Sequence, residues 1–201
     1  MWDERYSEDG FAYGTEPNSF LAEVAPGLSR GRVLSIAEGE GRNAVFLASL
    51  GFEVHSVDQS AVGVDKTRRL AAERGVTVHA EVGDLVDHPI AAGSFDGVVS
   101  IFAHMPKPVR VGLHQRLVVA LRPGGWLVLE AYTPRQVGRG TGGPPVVDLM
   151  MDPDDLRGEL AGLELERMEE LEREVHEGRY HNGVASVVQV VARKGRGSST
   201  R

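Results

Sequence analysis

Short apolar runs rich in β-branched residues alternate with segments of helical periodicity along the first two thirds of the chain. The apolar runs predict five strands, at residues 32–36, 52–58, 76–82, 95–102 and 126–132. The segments 43–50 and 60–74 between them predict helices, because a glycine follows each where helices commonly end. Several strands are continuously apolar, which is typical of strands buried on both faces. The pattern therefore predicts a doubly wound α/β fold around a mostly parallel sheet.

The pattern changes after the fifth predicted strand. Residues 134–145 (PRQVGRGTGGPP) predict a long glycine-rich loop, and Asp152 with Pro153 is a typical start of a helix. The two long segments that follow, 163–175 and 184–194, are most simply an antiparallel hairpin, although the Glu- and Leu-rich first segment is also compatible with a helix. With this hairpin the fold becomes a Rossmann-like sheet of seven strands with a C-terminal antiparallel hairpin.

Composition narrows the function classes. A chain of 201 residues favours one domain, and its net charge of -7 argues against nucleic-acid and anionic-membrane partners. The chain has no cysteine, which excludes disulfides, thiolate metal sites and cysteine nucleophiles. We expect a cytoplasmic protein, because the start lacks an apolar signal core and no apolar run approaches the ~20 residues of a membrane span.

The first predicted strand runs into the turn A-E-G-E-G-R-N. Gly39 and Gly41 would let the backbone come close to a ligand beyond the carboxyl end of the strand, where the amides of the next helix would also face it. The dinucleotide fingerprint requires a third glycine, and Asn43 follows here instead. Glu38 and Glu40 would repel a pyrophosphate and suit a positively charged ligand, although Glu40 is also compatible with a solvated charge at the helix start.

Carboxylates follow the second and third predicted strands as well. Asp58, in V-D-Q-S, can accept hydrogen bonds from both ribose hydroxyls of a nucleoside. Asp84, in G-D-L, can accept from an exocyclic amine while the Leu85 amide donates to an adenine ring nitrogen. One adenosine joined to one amino acid satisfies all three turns, so we predict S-adenosylmethionine as the cofactor.

The ordered motifs E-G-E-G-R-N, V-D-Q-S, G-D-L, F-D-G-V-V-S and L-R-P-G-G-W-L-V-L-E resemble those of class I S-adenosylmethionine-dependent methyltransferases over nearly the whole chain. More narrowly, the chain is similar to the group of tellurite-resistance and thiopurine-type methyltransferases, because W-D-E-R-Y-S-E-D-G-F-A-Y-G-T-E-P-N-S-F-L resembles the aromatic arm of that group. The usual turn motif is closer to D-x-G-x-G-x-G. Here Ser35 replaces the acidic residue and Ala37 the first glycine, so we expect Glu38 to take over the contact with the amino group.

The resemblance implies an N-terminal arm and helix over the cofactor site (1–30) and a methyltransferase domain (31–194). The terminal residues G-R-G-S-S-T-R (195–201) predict a disordered tail. The resemblance also implies that Trp2, Tyr6 and Tyr13 wall the cofactor and the methyl-acceptor pocket. The cofactor-binding residues we predict are Trp2, Tyr6, Glu38, Gly39, Gly41, Asn43, Asp58, Gln59, Ser60, Asp84, Leu85 and Ser100.

The candidate catalytic residues are His104 and Tyr13. His104 follows the fourth strand, where it could act as a general base or orient the acceptor, and the alternative is a loop histidine bonded to the backbone. Arg110 could hold an anionic acceptor or lie on the surface. His176 and His181 flank a turn without a nearby acidic or sulfur partner, so we predict no metal site.

We therefore predict a methyltransferase of small molecules that works as a monomer or homodimer. A thiol or a reduced chalcogen oxyanion would need little base catalysis, whereas a hydroxyl acceptor would need a base. The main alternative is a non-catalytic protein that binds an adenosyl ligand and regulates a partner. A nicotinamide oxidoreductase is disfavoured by the missing glycine, and a macromolecular acceptor by the lack of a recognition domain or basic stripe.

Overall fold

The computed structural model describes residues 2–196 and contains a seven-stranded sheet. Its strands are β1 (Arg32–Ile36), β2 (Glu53–Asp58), β3 (Val78–Val82), β4 (Phe95–Ile101), β5 (Leu121–Tyr132), β6 (Leu163–Glu177) and β7 (His181–Lys194). Their order is β3-β2-β1-β4-β5-β7-β6, with β1 to β5 parallel and β7 antiparallel to both its neighbours. The predicted sheet with its closing hairpin is confirmed, and the helical alternative for 163–175 is wrong.

The helices are α1 (Trp2–Tyr6), α2 (Ser19–Val24), α3 (Arg42–Ser49), α4 (Ala61–Glu73), α5 (Lys107–Ala120) and α6 (Pro153–Glu159). Two N-caps follow the prediction: the Ser60 side chain accepts from the Gly63 amide, and the Asp152 side chain accepts from the Asp154 amide. β5 begins earlier than predicted, at Leu121, because L-R-P-G-G is already extended directly after α5 ends at Ala120. Most of the predicted tail, residues 197–201, lies outside the described residues.

The sheet is covered on both faces, as the continuous apolar runs predicted. Neighbouring residues point to opposite faces of a strand, so Val98 and Leu127 lie in one core cluster while Val99 and Val128 lie in the other. Residues of α5 and α6 belong to the first cluster, and those of α2 and α3 to the second. No helix within residues 2–196 is long and apolar enough to cross a membrane.

The strand order leaves a crevice between β1 and β4. β2 lies on one side of β1 in the sheet, and β4 lies on the other side. The connections that follow β1 and β4 therefore run in opposite directions from the carboxyl ends of these strands. The N-terminal arm, residues 2–30, is held beside this crevice by hydrogen bonds to α4 and to its N-cap.

Lys66 of α4 donates to the carbonyls of Gly10 at 2.6 Å and Glu8 at 3.0 Å, and Ser60 donates to the Asp3 carboxylate. The fold thus places the arm over the strand ends.

Arg110 of α5 lies in the core between helices. Its guanidinium donates three hydrogen bonds to Glu159 of α6, at 2.7, 2.9 and 3.2 Å, and a fourth to the Met150 carbonyl at 2.9 Å. His114 Nδ1 lies 2.7 Å from the same carboxylate. The prediction that Arg110 holds an anionic acceptor or lies on the surface is wrong in both forms, because this residue joins α5 to α6.

Candidate active site

A cavity of about 700 Å³ opens at the carboxyl ends of the strands, beneath the N-terminal arm. It is lined by the arm, by the turns after β1, β2, β3 and β4, and by the start of β7. Four predicted site residues do not line it: Gly39, Gly41, Ser60 and Ser100. Those that do are Trp2, Tyr6, Tyr13, Glu38, Asn43, Asp58, Gln59, Asp84, Leu85 and His104.

The two glycines of the turn after β1 serve packing within the protein. Both have positive φ, 67° at Gly39 and 95° at Gly41. A Cβ at Gly39 would lie 2.7 Å from the Tyr6 hydroxyl, and one at Gly41 would lie 2.8 Å from Thr67 of α4. The structure therefore differs from the prediction: these glycines admit the arm and α4 against the turn, and they do not line the cavity themselves.

Glu38 occupies the start of α3. Its Oε1 accepts from the amides of Asn43 and Ala44, both at 2.9 Å, and Ser35 donates to its other oxygen. The helix amides predicted to face a ligand are thus bonded to a side chain of the chain itself. Burial raises the pKa of Glu38, which still borders the cavity. Ser35, which stands where the family motif has an acidic residue, is a hydrogen-bond partner of Glu38.

Glu40 is buried and turned toward the arm. Its Oε1 accepts from Lys66 at 2.8 Å, and its Oε2 accepts from the Ala12 amide at 2.7 Å. The interpretation of Glu40 as a solvated helix-start charge is wrong. Its role is to tie the arm to α4 across the turn.

Asp58 and Asp84 stand on adjacent strand ends and face the cavity, as the sequence predicted. Asp58 Oδ2 accepts from the Gly39 amide and Oδ1 from the Ser60 amide, both at 2.8 Å. Burial raises the pKa of Asp58, and these two amides oppose that rise. Asp84 accepts from the Val86 amide at 2.9 Å. The backbone thus fixes both carboxylates and leaves oxygen lone pairs for a ligand.

The arm supplies an aromatic wall. The rings of Trp2 and Tyr6 are stacked with their centroids 5.6 Å apart. The Arg5 guanidinium lies 5.2 Å from the Trp2 ring and donates to the Tyr13 hydroxyl at 2.8 Å. Burial raises the pKa of the Tyr13 hydroxyl. Trp2, Tyr6 and Tyr13 thus all line the cavity, and their contact with cofactor and acceptor stays a prediction.

His104 lines the cavity with both ring nitrogens bonded to the backbone. Its Nδ1 lies 2.9 Å from the Leu149 carbonyl oxygen, and its Nε2 accepts from the Tyr132 amide at 3.3 Å. Burial lowers the pKa of His104 to about 4. This geometry matches the alternative of a backbone-bonded histidine and leaves no ring nitrogen free for a proton from the acceptor.

A group of aromatic residues opposite the cofactor turns, Tyr13, Phe102, Tyr132 and His181, forms what we call the acceptor-side cluster. The His181 ring centroid lies 4.6 Å from that of Tyr13, 5.0 Å from that of Phe102 and 5.3 Å from that of Tyr132. Among the described residues, the buried atoms Tyr132 Oη and His181 Nδ1 lack hydrogen-bond partners. Sequence reasoning considered His181 only as a metal ligand and missed its place in the cavity, for which the one signal was its position near the turn of a hairpin that returns beside β5.

A buried ionic network lies behind this cluster. Glu177 accepts from Arg42 Nη2 at 2.6 Å, from Asn18 Nδ2 at 3.0 Å and from Arg173 at 3.3 Å. Burial would raise the pKa of Glu177, but His181 and the two guanidinium groups outweigh it and lower the pKa to about 2. Arg42 also borders the cavity, and its Nη1 is buried without a partner in the described part of the chain.

The glycine-rich loop closes the acceptor side. Gln136 donates to Thr141 Oγ1 at 2.9 Å and to the Gly142 carbonyl at 3.0 Å, which folds the loop onto itself. A Cβ at Gly142 would lie 2.8 Å from both Tyr132 Oη and His181 Cδ2. The loop therefore packs directly on the acceptor-side cluster.

Three groups of metal-ligand type, Glu53, His55 and His79, meet at the opposite end of β2 and β3. Arg32 Nε donates to His55 Nε2 at 3.0 Å, so one of the ring nitrogens is already engaged. These residues lie at the amino ends of the strands, away from the cavity.

Comparison with known proteins finds similarity to methyltransferases. Residues 33–125 match the family described as a methyltransferase domain. A 2-heptyl-1-hydroxyquinolin-4(1H)-one methyltransferase of Mycobacteroides abscessus is 29% identical over 125 residues, covering 61% of this chain and 55% of that protein. A tRNA 5-carboxymethoxyuridine methyltransferase of Escherichia coli is 33% identical over 120 residues, covering 56% of this chain and 43% of that protein.

Solved structures extend the likeness of fold beyond the matched domain. TehB from Haemophilus influenzae has a TM-score of 0.74 at 18% identity, covering 88% of this chain and 62% of that chain. A structure described for the conversion of a disulfide bond into a thioacetal group during echinomycin biosynthesis has a TM-score of 0.78 at 23% identity, covering 98% and 90%. The matches to curated relatives span between 40% and 55% of those proteins' length. The predicted resemblance and fold are confirmed, and the matches support the predicted enzyme class and cofactor.

Proposed function

We propose that this chain, which carries a methyltransferase domain in the fold of the class I S-adenosylmethionine-dependent methyltransferases, transfers a methyl group from S-adenosylmethionine to a small molecule. The observation that carries the proposal is the pair of fixed carboxylates, Asp58 and Asp84, at one side of a cavity closed by an aromatic arm. The predicted monomer or homodimer and the cytoplasmic location stay predictions.

The cavity residues fit the cofactor by charge and hydrogen bonding. Asp58 would accept from the ribose hydroxyls, and Asp84 with the Leu85 amide would hold the adenine. Glu38 borders the cavity where the amino group would lie, and the unpartnered Nη1 of Arg42 offers a donor to the carboxylate of the methionine part. The cofactor would supply an activated methyl group, and these residues would fix its orientation.

A small acceptor is supported by the size of the cavity, about 700 Å³, and by two of the similar proteins. The hydroxyquinolinone methyltransferase and the protein of echinomycin biosynthesis are named for reactions of small organic compounds, one a hydroxyquinolinone and the other a disulfide. The tRNA methyltransferase relative suggests an RNA acceptor instead, but a net charge of -7 disfavours a polyanionic partner. A thiol or chalcogen oxyanion remains within the proposal as its narrower form.

The alternative is a protein that binds the adenosyl ligand without catalysis. The acceptor-side cluster disfavours it, because a protein that only binds the cofactor does not need a second aromatic wall with unpartnered polar atoms in the same cavity. The test is to incubate the protein with S-adenosylmethionine and a panel of alkyl thiols, aryl thiols, a hydroxyquinolinone, selenite and tellurite. We expect S-adenosylhomocysteine to accumulate with at least one acceptor. Tight binding of the cofactor without product for any acceptor would favour the sensor.

A further inference from the structure

His181 is the histidine of the cavity whose ring is not committed to the backbone. In the β6–β7 register it lies opposite Glu177, and its Nδ1 is 3.6 Å from Glu177 Oε2, just beyond hydrogen-bond distance. The Nδ1 atom of His181 is buried without a hydrogen-bond partner among residues 2–196. We propose that His181 accepts the proton of the methyl acceptor, positioned by Glu177, and that the acceptor is therefore a hydroxyl or thiol compound. This inference rests on the proposed methyl transfer.

The carboxylate determines which ring nitrogen of His181 is free. With Glu177 facing Nδ1, the favoured neutral tautomer carries its proton on Nδ1 and leaves a lone pair on Nε2. Catalytic hydrogen bonds are often long before substrate binds, and the 3.6 Å separation of Nδ1 from Glu177 Oε2 fits such a contact. Arg42 and Arg173 keep Glu177 ionised, so it can stabilise the imidazolium that proton uptake creates.

Two other histidines provide the contrast. His104 uses both nitrogens on the backbone and can only form a wall of the cavity. His176 has a similar carboxylate neighbour, with Nε2 3.3 Å from Glu174 Oε2, but both side chains are exposed and neither lines the cavity. His181 combines a carboxylate neighbour with a place in the cavity wall.

The step balances without a further reactant. The X–H bond of the acceptor breaks, and its proton passes to Nε2 of His181. The freed lone pair on X forms the bond to the methyl carbon, while the electron pair of the former carbon–sulfur bond stays on sulfur. The products are the methylated acceptor, S-adenosylhomocysteine and protonated His181, which returns its proton to solvent. An acceptor that is already an anion would not need this residue.

The groups around His181 determine how its charge responds to pH. Burial is the main cause of its lowered pKa, which keeps the ring neutral near neutrality. Glu177 favours the protonated ring, whereas Arg42 and Arg5 oppose it. The charged and titratable side chains around the ring come from six segments. They are Arg5 of α1, Tyr13 of the arm, Arg42 of α3, His104 of the turn after β4, Tyr132 of β5 and Glu177 of β6.

The first test needs no turnover. In the wild-type protein bound to S-adenosylhomocysteine, nitrogen NMR of labelled histidine should find His181 as the Nδ1–H tautomer, with signals assigned by their loss in His181→Asn. Glu177→Gln should weaken that preference. A wild-type His181 protonated on Nε2 would overturn the proposal, whether or not the Glu177 variant folds.

The second test is kinetic and uses His176→Asn as the matched control. For an alkyl thiol that is protonated at the assay pH, His181→Asn should lower kcat by about 10²- to 10⁴-fold, and His176→Asn should leave it unchanged. The loss should be much smaller for an aryl thiol that is already ionised. Equal rates of His181→Asn and wild type on the alkyl thiol would overturn the proposal.

The two proposals fail in different ways. If the wild-type protein binds S-adenosylhomocysteine but methylates no acceptor, the proposed catalytic function fails, while the tautomer still shows whether Glu177 orients the His181 ring. If methylation proceeds and depends on His181 equally for ionised and protonated acceptors, the base role fails while the enzymatic function stands.

Discussion

Asp58→Asn removes one charged oxygen from the side chain that we propose binds the ribose. In the wild type each carboxylate oxygen already accepts a backbone amide at 2.8 Å, from Gly39 on one side and Ser60 on the other. The amide nitrogen of the new side chain must face one of these two N–H groups, donor against donor. One oxygen remains as an acceptor for the ribose, and it carries no formal charge.

The expected loss follows from that count of hydrogen bonds. A hydrogen bond to a charged group contributes about 1.5–3 kcal/mol, and about 1.4 kcal/mol corresponds to a factor of ten in affinity. Losing one ribose contact of this kind should therefore weaken cofactor binding by about 10- to 100-fold. The clash with Gly39 or Ser60 should also lower the free energy of unfolding.

Calorimetric titration with S-adenosylhomocysteine measures the affinity, and urea unfolding measures the accompanying change in stability. Asp96→Asn is the matched control, because Asp96 also accepts a backbone amide, that of Arg32 at 2.8 Å, but lies at the amino end of β4. The control should keep the wild-type dissociation constant. A folded Asp58→Asn protein that binds as tightly as the wild type would refute the assignment of Asp58 to the ribose.

Arg110→Met leaves the buried carboxylate of Glu159 without its guanidinium partner. Urea denaturation should show a free energy of unfolding that is lower by about 3–5 kcal/mol. A loss as small as that of a surface substitution would contradict the core ion pair. Gly142→Ala places a methyl group 2.8 Å from Tyr132 Oη at a backbone φ of 127°. The KM for the acceptor should therefore rise several-fold, while the affinity for the cofactor stays unchanged. A weaker affinity for the cofactor with an unchanged KM for the acceptor would argue against a loop over the acceptor side. The pKa of Glu159 is about 2 in the folded protein against an ordinary 4.5, because Arg110 and His114 outweigh the opposing effect of burial. This carboxylate therefore stabilises the fold above pH 4.5, and the contribution is lost as the pH falls toward 2. When the free energy of unfolding is measured at decreasing pH between 4.5 and 2, it should fall less steeply for Glu159→Gln than for the wild type. Identical slopes for the two proteins would contradict the lowered pKa of Glu159.

The sheet and most of the predicted cavity lining could be derived from the sequence. Continuous apolar runs predicted the strands, because burial on both faces leaves little room for polar residues. The carboxylates Asp58 and Asp84 could be assigned because each directly follows a strand, and parallel strands bring their carboxyl ends to one edge. Both features depend only on residues that are neighbours in the sequence.

Long-range contacts were beyond such reasoning. Glu40 is buried because Lys66 and the Ala12 amide reach it from separate segments, and no local pattern encodes that meeting. His181 enters the cavity only through the register of the β6–β7 hairpin and the pairing of β7 with β5. Arg110 resembled a surface residue because its partner Glu159 lies 49 positions later, on another helix.

The central claim is that successive strand ends bind the adenosyl cofactor, and a crystal structure with S-adenosylhomocysteine tests it most directly. The account predicts ribose hydroxyls on Asp58, adenine beside Asp84 and Leu85, and the sulfur facing the ring of Tyr13. A ligand bound elsewhere, or a cavity that stays empty in crystals grown with saturating ligand, would contradict it.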